Sequence, residues 1–306
     1  MKHAILGAGG VGGLVGGMLS RAGHHVTLLL RPETYAKHPD KLLIEWPNEK
    51  WEAPVERATS LSQPVDVLWV TPKEPQLESA LKLVGDNPAP LILPLLNGID
   101  HMDRLRARFG KEKVIGGTIA VEAERVAPGH IVRRSPFLRI GLGPGAEKKL
   151  GEVGEQFRAQ GAQVTFFDNE TVMLWLKLSF LAPIALTNTA VDGDLGKIYA
   201  DAEWTRRLES AIRETCAVAK AEGAPMDAER NISVLRTMPP GMRASMQKDV
   251  AARRIPELDA IAGPILRRGA SHGIDVRTVR ELTEMIEKRW QQISPGSGKL
   301  VKDIKD

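Results

Sequence analysis

Through the first half of the chain, short runs of consecutive apolar residues alternate with stretches in which apolar residues recur at helical spacing. Such near-continuous apolar runs are typical of parallel strands whose two faces are covered by helices. The runs predict strands at 3–6, 25–30, 65–71, 91–95 and 114–120. A glycine-rich helical stretch joins the first two runs, so the pattern predicts a strand–helix–strand unit at the start of a doubly wound sheet.

The pattern changes in the middle of the chain, where short apolar runs stand among Pro-Gly and glycine turns. These runs predict strands at 130–132, 138–142 and 164–167, with one helix at 148–161. We expect the three strands to extend the sheet of the first half.

Strand signals stop near Asp168, and helical periodicity takes over. Helices are predicted at 170–190, 200–222, 228–236, 242–254, 257–272 and 276–292. The sequence therefore predicts an α/β fold class, with a doubly wound, mostly parallel sheet followed by an all-helical C-terminal domain. The predicted domains are 1–168 and 169–293, and a polar tail covers 294–306.

Composition and charge narrow the class of protein. Hydrophobic residues make up 42% and charged residues 26%, a balance that supports packed cores and argues against intrinsic disorder. The net charge of +4 is too small to indicate nucleic-acid binding. The single cysteine, Cys216, excludes disulfide scaffolds and cysteine-based metal sites, and no His-x-x-x-His spacing predicts a metal. A strand begins directly after Met1 without the pattern of a signal peptide, so we expect a cytoplasmic protein.

One apolar stretch, 171–191, is long enough to span a bilayer and carries a single charge, Lys177. The stretch also contains Pro183 and several hydroxyl side chains. A lysine well inside a lipid-exposed helix would cost several kcal/mol. We therefore predict a buried helix of a globular domain and no membrane span.

Glycines after the first predicted strand match the pattern Gly-x-Gly-x-x-Gly. A helix N-terminus holds a pyrophosphate only if the backbone approaches it without side chains, and the motif lies between a strand and a helix, as dinucleotide-binding folds require. The sequence predicts a Rossmann-type domain whose dinucleotide-binding residues are Gly7, Gly9, Gly10, Val11 and Gly12. A glycine turn with only a structural role is the alternative.

The residue at the end of the second strand distinguishes the two nicotinamide cofactors. An acidic residue there binds the ribose 2′-hydroxyl of NAD, whereas a cation binds the 2′-phosphate of NADP. Arg31 follows Leu30 directly, and no acidic residue precedes it on the predicted strand. This favours NADP(H) as the cofactor, with a solvated arginine at a strand end as the alternative.

Lys177 is a lone charge in a helix that is predicted to be buried. One interpretation is that its ammonium has a charged partner or faces a cleft, because an unpaired buried charge is costly. The other is that its stem packs on apolar neighbours while the ammonium reaches solvent. The sequence leaves both interpretations open. Burial would lower the pKa of such a lysine toward neutrality, where it becomes a good proton donor. Carbonyl reduction requires such a donor, because negative charge grows on the oxygen as hydride adds to the carbon.

These features together resemble the ketopantoate reductase (2-dehydropantoate 2-reductase) family over nearly the full chain. The landmarks that carry the resemblance are residues 7–12, Arg31, 71–73, 97–98, 116–118, 128–131, 175–178, Ser245 with Met246 and Asp249, and 257–259. Each landmark is weak alone, but their order and spacing are specific. The resemblance implies NADPH-dependent reduction of a 2-keto acid to a 2-hydroxy acid, most directly of 2-dehydropantoate to pantoate in pantothenate biosynthesis.

The resemblance also implies roles for individual residues. Lys177 would be the general acid, and Glu257 would be the carboxylate that binds substrate and orients the lysine. Asn97 would lie near the nicotinamide and the substrate, Ser245 would contact the substrate carboxylate, and Lys73 would lie on the cofactor side. Taken alone, Glu257 fits a helix-start carboxylate without a role, and Asn97 fits a turn asparagine. Ser245 fits a helix cap, and Lys73 fits a solvated charge in a loop. These remain the alternatives.

The chain departs from the family on the helix that carries Lys177. Ketopantoate reductases usually have asparagines one and two turns beyond the lysine, where this chain has Leu181 and Ala185. Asn188 lies near the azimuth of Lys177 but about 16 Å along the axis, too far to replace them. A less polar pocket leaves a substrate hydroxyl without hydrogen-bond partners, so a related 2-keto acid with a more apolar side chain is a second candidate.

Two further functions stay open at this point. One is a non-catalytic NADP(H)-responsive binding protein, and the other is a 3-hydroxy acid dehydrogenase of the 6-phosphogluconate type, which also joins a Rossmann domain to a helical one and uses a lysine. The expected partner is a small-molecule 2-keto acid, without nucleic acid or membrane. Helical substrate domains often form homodimers, although no exposed apolar stripe in the sequence marks an interface.

Overall fold

The computed structural model describes residues 1–86 and 88–302. Its strands are β1 (Lys2–Leu6), β2 (His25–Leu29), β3 (Lys41–Trp46), β4 (Glu49–Pro54), β5 (Glu56–Ala58), β6 (Val67–Val70), β7 (Leu91–Pro94), β8 (Gly117–Ala120), β9 (Ala123–Ala127), β10 (His130–Arg133), β11 (Arg139–Leu142) and β12 (Gln163–Phe166). Its helices are α1 (Gly10–Arg21), α2 (Pro32–Tyr35), α3 (Leu77–Leu81), α4 (His101–Phe109), α5 (Ala146–Ala159), α6 (Glu170–Val191), α7 (Leu195–Tyr199), α8 (Ala202–Ala221), α9 (Ala228–Arg236), α10 (Ser245–Ala251), α11 (Leu258–Ser271) and α12 (Arg277–Ile293). The last four residues of the predicted polar tail 294–306, positions 303–306, lie outside the described residues.

The chain divides into two compact units. The α/β unit comprises Met1–Leu96 and His101–Met173, and the helical unit comprises Asn97–Asp100 together with the chain from Leu174 onward. The strands lie in the α/β unit, and helix α6 begins there and continues into the helical unit. The predicted fold class is confirmed: a Rossmann-type domain with a parallel sheet precedes an all-helical C-terminal domain.

The main sheet of the α/β unit is parallel and has the order β5-β2-β1-β6-β7. At its centre, Leu6 of β1 pairs with Leu29 of β2 and with Val70 of β6. Because parallel strands in this register end at the same edge of the sheet, the turns that follow β1, β2 and β6 lie side by side. This edge is where doubly wound sheets bind their ligands.

Two smaller sheets correct the prediction that the middle strands extend the main sheet. The strand predicted at 130–132 is β10, which pairs with β3 and β9 in a sheet ordered β4-β3-β10-β9. Strands β8, β11 and β12 form a three-stranded sheet, linked to β7 by a bridge between Ile92 and Val114. The prediction is wrong for β10 because its partners, β3 and β9, were absent from the predicted elements.

Helix α1 is rich in glycine because two sheets pack against it. A Cβ atom added at Gly13 would lie 2.5 Å from Ile131 of β10, and one added at Gly17 would lie 2.5 Å from Ile44 of β3. The helix also packs on β1 and β2 of the main sheet. Any side chain at these two glycines would push the smaller sheet away from the helix, so the glycines permit the close packing.

Helix α6 is, among the described residues, the one helix that is long and apolar enough to cross a membrane by length and composition. Its most apolar window is 61% buried inside the protein. Ala182, Ala185 and Asn188 are wholly buried. These are the surroundings of a core helix, as the sequence predicts.

Candidate functional site

The glycine turn joins β1 to α1 at the carboxyl edge of the main sheet. Gly7 adopts a left-handed backbone with φ of +99°, and a Cβ atom there would lie 2.6 Å from the backbone nitrogen of Pro72. A Cβ atom at Gly12 would lie 2.2 Å from the carbonyl oxygen of Gly7. Both positions therefore exclude a side chain, which allows the tight turn and brings α1 close to β1.

Gly9 faces open space, unlike the other glycines of this turn. A Cβ atom there would meet no atom of the described residues within 4 Å, whereas a Cβ atom at Gly10 would lie 2.0 Å from the carbonyl oxygen of Ala123. Gly9 is the N-cap of α1 and places no side chain over the first helical turn, in which Val11 is half-buried. An open approach to a helix N-terminus fits the pyrophosphate of a dinucleotide.

Two cations lie at the same edge of the sheet. Arg31 is exposed directly before α2, close to the end of β2, and pairs with Glu33 at 3.2 Å. Lys73 is half-buried three residues beyond β6, where it precedes a short 3₁₀ turn. The hydroxyl of Thr71 donates to the carbonyl oxygen of Gly7 at 2.9 Å and so ties the end of β6 to the glycine turn. In the sequence, Thr71 stands only among the positions that carry the family resemblance. Its position at the end of an apolar strand is the sequence signal that could have indicated this hydrogen bond.

Lys177, Glu257 and Asn97 come together in the helical unit. Lys177 is half-buried on α6, and burial lowers its pKa to about 8 against the opposing effect of the Glu257 carboxylate. Glu257 is 5% exposed and is the N-cap of α11. The amide of Asn97 donates to Oε2 of Glu257 at 3.0 Å. Such a lysine, electrostatically coupled to a fixed carboxylate, can act as a general acid near neutral pH.

Ser245 is exposed as the first residue of α10, and a buried asparagine holds this helix in place. Asn188 of α6 is wholly buried, and its Oδ1 accepts a hydrogen bond from the backbone N–H of Ala244 at 3.1 Å. The amide of Gln247 donates to Asp192, just beyond α6, at 2.8 Å. Asn188 therefore positions α10, a role that the sequence did not suggest, because the partner lies 56 residues away.

The residues with predicted roles fall into two groups. Those expected on the cofactor side, apart from Asn97, lie in the α/β unit. The helical unit carries Asn97, Lys177, Ser245 and Glu257. The hydrogen bond to Glu257 groups Asn97 with the residues expected to act on the substrate.

Family models match both parts of the chain. Residues 3–147 match the model described as ketopantoate reductase PanE/ApbA, and residues 171–289 match the one described as ketopantoate reductase PanE/ApbA C terminal. Together the two matches cover more than half of the chain.

Individual relatives match over nearly their whole length. The 2-dehydropantoate 2-reductase of Caulobacter vibrioides is 31% identical over 286 residues, which cover 89% of this chain and 93% of that protein. The structure of a PanE/ApbA family ketopantoate reductase from Ralstonia eutropha is 28% identical with a TM-score of 0.83, covering 95% of this chain and 99% of that chain. The ternary structure of D-mandelate dehydrogenase with NADH and anilino(oxo)acetate is 23% identical with a TM-score of 0.84, covers 96% and 99% of the two chains, and shows a shared fold.

Proposed function

Because this chain belongs to the ketopantoate reductase family, a family of oxidoreductases that use a nicotinamide cofactor, we propose that it reduces a 2-keto acid to a 2-hydroxy acid with NADPH. The observation that carries the proposal is the Lys177 ammonium, whose pKa burial lowers to about 8 while the Glu257 carboxylate opposes the shift. A lysine with that pKa holds its proton at neutral pH and releases it readily to an alkoxide.

Residues of the helical unit supply the acid in this reaction. When bound, the reduced nicotinamide supplies the hydride that adds to the carbonyl carbon. Lys177 donates its Nζ proton to the carbonyl oxygen as negative charge grows there. Glu257 favours the charged lysine, and the Asn97 amide fixes the carboxylate by donating to Oε2. The hydroxyl of Ser245, exposed at the start of α10, binds the substrate carboxylate in this proposal.

We propose 2-dehydropantoate as the first substrate, which would make the reaction a step of pantothenate biosynthesis. The named activity of the Caulobacter vibrioides relative supports it. Leu181 and Ala185 favour a second candidate, a 2-keto acid with a more apolar side chain, because they stand where the family usually has asparagines. Aliphatic side chains offer no hydrogen bond to a substrate hydroxyl.

A screen of 2-keto acids with NADPH and with NADH tests the proposed reaction. We expect oxidation of NADPH with 2-dehydropantoate or with a branched aliphatic or aromatic 2-keto acid. Oxidation of 3-hydroxy acids with NADP, without reduction of any 2-keto acid, would instead indicate a dehydrogenase of the 6-phosphogluconate type. Tight binding of NADPH without turnover across the panel would indicate a non-catalytic binding protein.

We further propose a cytoplasmic enzyme that acts on a small molecule, with neither nucleic acid nor membrane as a partner. A homodimer is the assembly that we expect. Light scattering of the purified protein measures its mass, and the mass of a single chain would contradict the dimer.

Replacing Arg31 by alanine tests the choice of cofactor. We expect the Kd for NADPH to rise by about 10- to 100-fold, because a charge-assisted hydrogen bond to the 2′-phosphate contributes about 1.5–3 kcal/mol. The Kd for NADH should stay unchanged, and calorimetric titration measures both constants. The matched control is Arg21→Ala, because Arg21 ends α1 and pairs with Glu49. Equal weakening of both cofactors would contradict the preference for NADP.

Alanine substitutions at Gly9 and Gly10 separate cofactor binding from packing. Gly9→Ala adds a methyl group in open space, so we expect wild-type stability but a Kd for NADPH raised at least about tenfold, because the methyl stands between the phosphates and the backbone. Gly10→Ala presses on the Ala123 carbonyl and should lower the free energy of unfolding by about 1–3 kcal/mol. Thermal unfolding and calorimetric titration measure the two effects. Unchanged NADPH affinity in Gly9→Ala would remove this turn from the cofactor site.

A further inference from the structure

The short segment Asn97–Asp100 belongs to the helical unit, although α/β-unit chain precedes and follows it in sequence. Its backbone packs directly on the first turn of α11. Gly98 adopts a left-handed conformation with φ of +81°, and a Cβ atom there would lie 2.1 Å from the carbonyl oxygen of Ala260. The contact leaves no room for a side chain, so glycine is required for this close approach.

Asp100 fixes the other end of the segment to α11. Its Oδ2 accepts a hydrogen bond from Nη2 of Arg267 at 2.6 Å, and its Oδ1 accepts one from Nη1 of Arg268 at 2.6 Å. Burial alone would raise the pKa of Asp100, but the hydrogen bonds and charges of the two arginines bring it below its usual value. The carboxylate is therefore ionised at neutral pH, and both ion pairs persist there.

Each of the two arginines is also held by a second carboxylate. Arg267 donates to Asp259 at 2.8 Å, and Arg268 donates to Glu222 at 2.9 Å. The side chains of this cluster are between 10% and 30% exposed. Ion pairs that share partners in a partly buried network hold their geometry better than an isolated surface pair does. Asp100 is thus bound to two arginines of α11 that other carboxylates also hold.

Asn97 lies three residues before Asp100, and its amide donates to Glu257 at the start of the same helix. We propose that Asp100 is a positioning residue for the proton transfer, because its ion pairs with Arg267 and Arg268 hold Asn97 where its amide fixes the Glu257 carboxylate. This inference rests on the proposed function of Lys177 and Glu257. Asp100 itself acts only through Asn97.

A double-mutant cycle between Asn97 and Asp100 tests this dependence. We expect Asp100→Asn and Asn97→Ala each to lower kcat/KM for 2-keto acid reduction by about tenfold, as loss of one orienting hydrogen bond does. The double variant should be no slower than Asn97→Ala, because Asp100 has nothing left to position. If the fold losses of kcat/KM in the two single variants multiply in the double variant, Asp100 acts by another route and the proposal is overturned. If Asp100→Asn does not fold, Arg268→Gln takes its place in the cycle.

The control variant is Glu209→Gln. Glu209 also joins two arginines, Arg213 and Arg236, and its side chain is 16% exposed. Its substitution should lower thermal stability about as much as Asp100→Asn does but leave kcat/KM unchanged. An equal loss of kcat/KM in Glu209→Gln would assign the effect of Asp100 to general stability, against the proposal.

A measurement without turnover separates this inference from the proposed function. Burial and the Glu257 carboxylate are the causes of the shifted pKa of Lys177, so a displaced carboxylate changes that pKa. NMR titration of methylated lysines should show Asp100→Asn and Asn97→Ala shifting the pKa of Lys177 in the same direction, with the double variant shifting it no further. If the pKa of Lys177 shifts in this way but the protein reduces no 2-keto acid, the positioning role of Asp100 is supported and the proposed reductase function is refuted. A pKa unchanged by Asp100→Asn in an active enzyme would refute the positioning role alone.

Discussion

Replacing Lys177 by alanine is expected to lower kcat for 2-keto acid reduction by about 10³-fold or more while leaving the Kd for NADPH nearly unchanged. In the proposed mechanism, Lys177 both stabilises the negative charge on the carbonyl oxygen and protonates it, and the variant lacks this group. Apart from Asn97, the residues expected on the cofactor side lie in the α/β unit, whereas Lys177 lies in the helical unit, so we expect the substitution to leave them in place. Steady-state kinetics gives kcat, and calorimetric titration gives the Kd.

Lys220→Ala is the matched control for this substitution, because Lys220 is exposed near the end of α8. Its kinetics should equal those of the wild type. Turnover at the wild-type rate in Lys177→Ala would remove the lysine from the mechanism, and the proposed reaction would lose its acid.

The pH profile of the wild-type enzyme follows from the same lysine. Its pKa of about 8 lies below the ordinary value of 10.5, so the ammonium loses its proton as the pH rises through about 8. A general acid must be protonated to act. We therefore expect kcat/KM for reduction to be level below about pH 8 and to fall about tenfold per pH unit above it.

The longer helices of the second half were predictable because their periodicity is a local property of the sequence, whereas the five-residue helix α7 (Leu195–Tyr199) was not predicted. The helix predicted at 228–236 is α9 (Ala228–Arg236), and α11 and α12 begin and end within one residue of their predicted bounds. Helix α10 is shorter than the predicted 242–254, since only Ser245–Ala251 is helical. An amphipathic pattern shows where a helix can form, whereas its ends depend on tertiary contacts such as the bond from Asn188 to Ala244.

Strands β3, β4 and β9 of the smaller sheets were missed because they are half-exposed and charged. Burial alternates along β3, which has the period of a strand, and two residues separate it from β4. That alternation was an available signal, although weaker than the continuous apolar runs of the main sheet. Without β3 and β9 the pairing of β10 could not be inferred, since partners far apart in sequence leave no local pattern.

The candidate residues of the α/β unit were also easier to predict than those of the helical unit. The glycine turn and Arg31 lie within one strand–helix–strand unit, so residue spacing alone predicts their place at one sheet edge. Lys177 was left with two interpretations, because its coupling to Glu257 spans 80 positions and that of Glu257 to Asn97 spans 160. The ion pairs of Asp100 are equally non-local and gave no sequence signal.

His3 is expected to make the free energy of unfolding fall steeply in acid. It is wholly buried in β1, and its Nδ1 accepts a hydrogen bond from Nε1 of Trp69 at 3.1 Å. Burial is the largest cause that lowers the pKa of His3 to about 3, and the charges of His24 and of the N-terminal ammonium act in the same direction. The charge of Asp66 opposes this shift. The folded protein therefore holds this imidazole neutral through the mildly acidic range.

The unfolded chain takes up a proton at His3 near its ordinary pKa of 6.5, whereas the folded protein does so only near pH 3. Between these values the unfolded state binds more protons, so the contribution of neutral His3 is complete above about pH 6.5 and is lost as the pH falls. The loss is about 1.4 kcal/mol per pH unit, or about 3 kcal/mol between pH 7 and pH 4.

Urea unfolding of wild type and His3→Gln at pH 7 and pH 4 measures this effect. Glutamine keeps an oxygen that can accept from Trp69 but does not titrate, so the free energy of unfolding of the variant should fall by about 3 kcal/mol less than that of the wild type. His25→Gln, at an exposed position of the neighbouring strand β2, should keep the wild-type dependence. If the free energy of unfolding falls equally in wild type and His3→Gln between pH 7 and pH 4, His3 is protonated in both the folded and the unfolded state at pH 4. Other groups would then govern the acid sensitivity of this fold.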